Sequence, residues 1–173
     1  MQGNENLLNW YAGRVRYNTE KKIKDFLVQN NITHYIPFEK KIIERDRRRK
    51  RVIRPVIPCY IFVYTDYQTL LSLPRQCGYP ISYVRNIVTH HIQEIPSKQM
   101  QDFMLILDFS ETTIKIGNTN IKQGDRVRVI KGDFAGIEGE LIRIKGHKRV
   151  VVRLEGLFSV ATTYIPSSFL EKA

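Results

Sequence analysis

The pattern of apolar residues changes near residues 109–121, and this change constrains the fold more than any other feature. Downstream of it, the segments DRVRVI, GELIRI and RVVVRL alternate as β-strands do and are separated by glycine-bearing turns. The intervening stretch has no helical stripe and is rich in Thr, Asn and Gly, which is typical of a connector. The sequence therefore predicts a first domain over 1–108, a linker over 109–121 and a small β-barrel over 122–173.

The first domain mixes helical and strand periods. Strands are predicted at 10–16, 58–66 and 81–86, with a strand hairpin of dense positive charge between the first two. Asn18 and Thr19 offer a helix cap before an apolar stripe that includes Ile23 and Leu27. A short helical segment is predicted around 70–73, and Pro96 starts another helix. This order predicts an α+β fold, an antiparallel sheet flanked by helices.

The chain is strongly basic. Its 28 Lys and Arg residues against 17 Asp and Glu give a formal charge of +11, which favours a polyanionic partner such as nucleic acid. No apolar run approaches the roughly 20 residues that span a bilayer, and the polar start lacks the features of a signal peptide. We therefore expect a cytoplasmic protein without a membrane partner. Cys59 and Cys77 are too few for a disulfide framework, and Cys59 is predicted to be an inert buried thiol in an apolar strand.

Three glycines lie within eight positions of the segment 132–139, directly before a predicted strand. Gly132, Gly136 and Gly139 predict a sharply turned loop whose backbone follows a set path. Such a loop would place Phe134 and Ile137 at the rim of the barrel, where they could bind a partner. The alternative is that both side chains close the end of the barrel.

The segment GDRVRVIKGDFAGIEGELIRI, residues 124–144, resembles the KOW motif, which occurs in ribosomal proteins and in NusG-type transcription factors. Upstream, WYAGRVRYNTEKKIKDFL, PCYIFVYTD and PISYVRN resemble the NusG N-terminal domain. The segment RVRYN and the basic hairpin are similar to those of the UpxY group of specialised NusG paralogues. The resemblance covers nearly the whole chain and implies a NusG-type N-terminal domain followed by a KOW β-barrel.

The resemblance implies a polymerase-binding surface. In the family, the N-terminal domain docks on the clamp helices of the largest RNA polymerase subunit, and a second segment touches the opposite jaw. The corresponding residues here are Trp10, Tyr11, Val56, Ile57, Pro58 and Tyr60 for the clamp and Leu71, Ser72 and Leu73 for the jaw. The chain departs from the family at Ile57 and Cys59. The alternative for Trp10 and Tyr60 is a place in the core.

Two basic segments are predicted to bind nucleic acid. The turn after the first strand combines cations for phosphate with a tyrosine that could stack on an unpaired base, and its family counterparts contact the non-template DNA strand. These residues are Arg14, Arg16, Tyr17, Asn18, Lys21 and Lys22, which Arg75 could join. The charge run Arg47, Arg48, Arg49, Lys50 and Arg51 predicts a hairpin tip that touches upstream DNA or nascent RNA. The alternatives are a solvated basic rim and a charge run that serves solubility.

No catalytic constellation is evident. His90 and His91 are adjacent and would point to opposite faces of a strand, and the sequence has no hydrolase, phosphate-loop or zinc-site spacing. We therefore expect no enzymatic activity, no metal and no cofactor.

The resemblance instead implies a monomeric transcription elongation regulator or antiterminator that acts on particular operons. Its barrel would bind a second partner, such as a small-subunit ribosomal protein, through Phe134, Ile137 and Phe158. The rival hypothesis is a KOW-containing ribosome-associated or RNA-binding module that does not bind polymerase.

Overall fold

A computed structural model describes residues 7–45, 48–109, 124–144, 147–154 and 157–173. The chain divides into two compact units, Met1–Glu94 and Ile95–Ala173, called unit 1 and unit 2 below. The predicted linker lies outside the described residues except for Phe109, so the predicted domain limits stay a prediction. The mixed α/β character, with antiparallel sheets and a β-rich C-terminal part, confirms the predicted fold class.

Unit 1 is built on an antiparallel sheet. Its strands are β1 Asn9–Arg14, β2 Thr33–Tyr35, β5 Tyr60–Thr65, β6 Ser82–Tyr83 and the short β7 Glu94–Ile95. The order is β2-β5-β1-β6, and β7 also pairs with β1. In the central pair, Trp10 lies opposite Tyr64 and Arg14 lies opposite Tyr60. Successive side chains alternate between faces, so β1 and β5 each present one set to the core and another to the opposite face.

Helices α1, Glu20–Gln29, and α2, Tyr67–Cys77, supply the other half of the unit 1 core. The predicted cap is correct in position, because Thr19 is the N-cap of α1, but its hydroxyl donates to the Arg16 carbonyl oxygen (2.6 Å) rather than capping the helix. Burial of the apolar helix faces against the sheet is the main source of stability here. The core side chains are Tyr11, Val15, Ile23, Leu27, Ile36, Ile61, Val63, Leu70, Leu73 and Ile92.

Helix α2 is longer than the predicted segment 70–73 and contains a proline. The Asp66 carboxylate caps its start by accepting from the Thr69 N–H (2.9 Å), and this hydrogen bond lowers the pKa of Asp66. Pro74 has no N–H to donate to the carbonyl of Leu70. The hydroxyl of Tyr83 donates to that oxygen instead, at 2.6 Å.

The basic segment forms a two-stranded ribbon, β3 Phe38–Arg45 and β4 Arg48–Pro55. Its register runs from the pair Phe38 and Pro55 to the pair Arg45 and Arg48. Among the described residues neither strand pairs with a third one. Both outer edges of the ribbon are therefore unpaired within that part of the chain.

Unit 2 contains a helix and a five-stranded antiparallel sheet. The elements are α3 Ser97–Phe109, β8 Arg126–Val129, β9 Glu138–Ile144, β10 His147–Leu154, β11 Phe158–Ala161, a 3-10 turn Ser167–Phe169 and β12 Leu170–Lys172. The sheet order is β11-β10-β9-β8-β12. Val150, Val151 and Val152 are all buried, so β10 is covered on both faces. Helix α3 contacts β10 and β11 and buries Met100, Phe103, Ile106 and Leu107.

Within the described ranges, no helix is both long enough and apolar enough to cross a membrane.

Candidate functional site

The sheet face of unit 1 that points away from α1 and α2 is lined by aromatic rings. Trp10 is only 7% exposed, and its ring lies 5.4 Å from that of Tyr64. Tyr11 belongs to the opposite, core-facing set, and its burial raises the pKa of its hydroxyl. Trp10 and Tyr11, both predicted to contact the polymerase clamp, are thus buried. For Trp10 this agrees with the alternative prediction, a position in the core.

Tyr60 keeps part of its ring accessible on this aromatic face. Its hydroxyl accepts from Nε of Arg14 at 2.6 Å, and the Arg14 guanidinium lies 5.5 Å from the ring centre. A cation over an aromatic face fixes the orientation of both groups. Arg14, predicted to contact nucleic acid, is therefore brought beside Tyr60, which was predicted to contact protein.

The turn before β5 carries the remaining predicted clamp residues. Val56 is half-buried, Ile57 is buried and Pro58 is exposed. The buried Glu20 side chain accepts from the backbone N–H of Cys59 at 2.7 Å, and Cys59 has a positive φ of 64°. The expectation that Cys59 lies inside a strand is wrong, because it occupies this turn and is half-buried.

Glu20 was missed by the sequence reasoning. It lies 39 residues from its partner along the chain, and a glutamate in the first turn of a helix is ordinary. No local signal could have indicated its role. It holds the turn that precedes Tyr60 in a conformation that few non-glycine residues adopt.

The three predicted jaw residues on α2 have different environments. Leu71 is 55% exposed, whereas Leu73 is fully buried in the core. Ser72 is half-buried, and its hydroxyl donates to the Thr69 carbonyl oxygen (3.0 Å). Only Leu71 and part of Ser72 are available to a partner, because a helix places residues two apart on different sides.

The predicted single-strand surface is exposed at the edge of unit 1. The N–H of Thr19 donates to the Arg16 carbonyl oxygen (3.1 Å) and closes a turn, in which Asn18 has a φ of 66°. This turn leaves Tyr17 67% exposed. The cations around it are also exposed: Arg14, Arg16, Lys21 and Lys22, with Arg75 exposed in the last turn of α2.

The ribbon exposes the predicted charge run. Arg48, Arg49, Lys50 and Arg51 are exposed, while Arg47 lies outside the described residues. The acids of the ribbon are paired within it: Arg49 is 3.6 Å from Glu44, while Glu39 is 3.5 Å from Arg54 and 3.8 Å from Lys41. Surface pairs of this kind contribute little to stability, but they leave the other cations of the ribbon available to an external anion.

The glycine loop has the sharply turned backbone that the sequence predicts. Gly132 and Gly136 have φ values of 83° and 90°, the left-handed region that glycine enters most easily. Gly139 is needed for a different reason: a β-carbon there would lie 2.3 Å from the backbone oxygen of Val151 on β10. At each of the three positions a larger side chain would therefore be sterically unfavourable.

The expected exposure of the loop side chains is wrong. Phe134 is 8% exposed and Ile137 is fully buried. The Phe134 ring packs edge-on against Phe109 of α3 at 6.4 Å, and the loop folds back through a bond from Gly136 N–H to the Val129 oxygen (2.7 Å). The side chain of Phe158 lies outside the described part of the chain. A partner-binding role for the three residues stays a prediction.

Helix α3 also makes polar contacts with this loop. The Lys98 ammonium donates to the Asp102 carboxylate (2.5 Å) and to the Gly136 carbonyl oxygen (2.8 Å). Glu138 pairs with Arg128 at 2.6 Å, which lowers the pKa of Glu138. Asp102 and Glu138 line a polar cavity of about 310 Å³. The sequence analysis did not identify these contacts. The only local signal for them is the i, i+4 spacing of Lys98 and Asp102 on a helix.

No catalytic arrangement is found among the residues that the structure describes. His90 and His91 are exposed in a turn, and the described side chains include no group of three or more His, Cys, Asp or Glu that could hold a metal ion. Cys59 and Cys77 are both free.

The chain is similar to known proteins of two kinds. The family model described as transcription termination factor nusG matches residues 8–104. The transcription termination/antitermination protein NusG of Streptococcus pyogenes serotype M1 is 25% identical over 159 residues, which cover 87% of this chain and 85% of that protein. The same protein of serotype M3 matches equally well. The large ribosomal subunit protein uL24 of Korarchaeum cryptofilum is 31% identical over 75 residues, covering 43% of this chain and 52% of that protein.

Proposed function

Because this chain belongs to the NusG family, we propose that it is a transcription elongation regulator that binds RNA polymerase and suppresses pausing or termination. The observation that carries the proposal is the family match over residues 8–104. That range includes the aromatic sheet face, the turn before β5 and the exposed part of α2. In this role the protein binds and biases another enzyme and catalyses no reaction of its own.

The docking surface proposed for the polymerase clamp helices centres on Tyr60. Pro58 and Tyr60 provide apolar surface beside the cation of Arg14, and aromatic and arginine side chains commonly anchor protein interfaces. Trp10, Tyr11 and Ile57 are buried and leave little surface of their own to a partner. Leu71 is the proposed contact with the opposite jaw.

The effect on transcription follows from preferential binding. A ligand shifts an equilibrium only by its difference in affinity for the two states. The protein would therefore bind the closed, elongating clamp more tightly than the paused one. We propose that it does so as a specialised UpxY-type paralogue, a cytoplasmic monomer that acts on particular operons.

Unit 2 is the proposed site for a second partner, such as a small-subunit ribosomal protein. Phe134, Ile137 and Phe158 are the candidate contacts. Because Phe134 is packed against Phe109, binding through its ring requires that this aromatic contact be broken.

The test is retention of the full chain on purified RNA polymerase. Tyr60→Ser is expected to weaken binding at least tenfold, because it removes the aromatic anchor of the surface. Tyr17→Ser is the matched control, since this exposed tyrosine lies in the same unit on the nucleic-acid edge. The control is expected to bind polymerase as the unaltered chain does. Equal binding by both variants would contradict docking through Tyr60.

A second candidate function rests on the similarity to uL24. A ribosome-associated or RNA-binding module would bind structured RNA and would not be retained on polymerase. Polymerase retention of the unaltered chain at micromolar concentration would exclude that alternative as the sole function. If the unaltered chain is not retained on polymerase but binds ribosomal RNA tightly, the RNA-binding alternative is favoured.

A further inference from the structure

The β3–β4 ribbon has two faces of mixed composition. The register places Ile42 opposite Arg51 and Lys40 opposite Ile53, and side chains of directly opposed residues lie on the same face. We call Lys40, Ile42, Arg51 and Ile53 the first face, on which the ion pair of Glu44 and Arg49 lies nearer the tip. By the same register, Lys41, Ile43, Lys50 and Val52 form the second face.

The first face is the more open one. Ile42 and Ile53 are 62% and 66% exposed, whereas Ile43 on the second face is 37% exposed. A partner with apolar surface would remove these two aliphatic side chains from water, which is favourable. Lys40 and Arg51 make no ion pair among the described residues, so their charges remain available to phosphate.

The ribbon has the size and composition for double-stranded nucleic acid. Each strand has eight residues, which at about 3.4 Å per residue gives a length of roughly 27 Å. The major groove of B-DNA, about 12 Å wide, admits a two-stranded ribbon. Binding to an unpaired strand relies on aromatic stacking, and residues 40–54 contain no Phe, Tyr, Trp or His.

The edge around Tyr17 has the opposite composition. It presents one exposed aromatic ring among exposed cations on a fixed turn. Stacking on the ring and neutralisation of the backbone are the two requirements of single-strand binding. The same unit therefore carries one surface with an aromatic platform and one without.

We propose that the first face of the ribbon binds double-stranded DNA in the major groove, whereas the Tyr17 edge keeps the single-strand role that the family resemblance implies. The inference rests on the proposed function, because a transcribing polymerase has both forms of DNA next to it. Lys40 and Arg51 contact phosphates, and Ile42 and Ile53 contact apolar base edges such as thymine methyl groups. Unit 1 would thus bind duplex DNA and unpaired DNA through two separate surfaces.

The test measures affinity of the full chain for a labelled 20-base-pair duplex and for a 20-nucleotide single strand over a range of salt concentrations. For Lys40→Gln with Arg51→Gln, loss of two phosphate contacts at a salt exponent of about 0.9 each predicts duplex binding weaker by about 60-fold at 0.1 M salt. The salt slope should fall by about 1.8. Single-strand affinity should change less than threefold.

Two further variants separate the surfaces. Lys41→Gln with Lys50→Gln removes the same charge from the second face and is expected to weaken duplex binding much less. Tyr17→Ser is expected to lower single-strand affinity about tenfold through lost stacking and to leave duplex affinity unchanged. Ile42→Ser with Ile53→Ser should weaken duplex binding while the salt slope stays constant.

The proposal is overturned if the first-face charge variant binds duplex as the unaltered chain does, if it loses duplex and single-strand affinity equally, or if the second-face variant loses as much. Retention on polymerase is measured on the same proteins. If the first-face charge variant is retained on polymerase and binds duplex as the unaltered chain does, the ribbon inference is refuted and the proposed function is unaffected. Failure of the unaltered chain to bind polymerase would refute the proposed function whatever the ribbon does.

Discussion

The contact between Pro74 and Tyr83 allows a sharp test of how α2 is stabilised. A proline in the eighth position of the helix removes the N–H that would bind the Leu70 carbonyl. The Tyr83 hydroxyl supplies the missing donor at 2.6 Å from a neighbouring strand. The prediction is that these two residues are energetically coupled although their side chains need not touch.

Tyr83→Phe is expected to destabilise unit 1 by about 1–3 kcal/mol, the cost of leaving a buried carbonyl unsatisfied. Pro74→Ala restores a helical N–H in reach of the same carbonyl. In that background Tyr83→Phe should therefore cost about 1 kcal/mol or less, because the oxygen retains a partner. The coupling energy of the double-mutant cycle is then about 1–2 kcal/mol.

The assay is equilibrium urea unfolding of the four proteins, followed by tryptophan fluorescence. The chain has a single tryptophan, Trp10 in the unit 1 sheet, so the signal reports unfolding of that unit. Additivity within about 0.3 kcal/mol would refute the reasoning, since independent sites behave that way. The result would mean that the hydroxyl does not substitute for the missing amide.

The pH dependence of the unaltered chain gives a second readout. Burial raises the pKa of Tyr83 above its ordinary value. Because the folded pKa is higher than the unfolded one, the stabilisation is complete below the ordinary tyrosine pKa of about 10 and is lost as pH rises above it. The stability of Tyr83→Phe should fall less steeply in that range.

Three other predictions concern single contacts. Glu20→Ala should cost about 2 kcal/mol because the N–H of Cys59 loses its acceptor, and Glu20→Gln should cost less; equal urea midpoints for both would contradict this. Gly139→Ala should cost about 3 kcal/mol by forcing β9 from β10, and Gly136→Ala about 1 kcal/mol through its positive φ; circular dichroism melts in the reverse order would contradict it. Asp66→Ala should cost about 1 kcal/mol at pH 7, a difference that shrinks below about pH 4 as the carboxylate, whose pKa is lowered, is protonated in the parent chain; a pH-independent difference would argue against the cap.

Much of the local structure could be predicted because it is encoded by neighbouring residues. Strand β1, helix α1 and the basic ribbon follow from alternation, helical spacing and turn residues that lie within a few positions of one another. The sharp turn of the glycine loop could be predicted for the same reason, because Gly132 and Gly136 adopt the positive φ values that such a turn requires. The surface candidates Tyr17 and Arg51 were found because charge and aromatic content are properties of composition.

Residues whose role depends on a distant partner could not be predicted. Glu20 and Cys59 are 39 positions apart, and Tyr83 is 13 positions from Leu70. The burial of Phe134 also depends on Phe109, which a helix outside the loop provides. A sequence pattern indicates which residues share a face, but it does not indicate what covers that face.

The sequence by itself determined the mixed α/β class, the longer helices and strands, the basic charge and the family resemblance, because each depends on residue type and short spacing. The tertiary structure alone decided that Trp10 and Ile137 are buried, that Tyr60 is half-buried and Leu71 exposed, and that one face of the ribbon is more exposed than the other. The physical reason is that exposure results from long-range packing, in which segments far apart in the chain compete for the same surface.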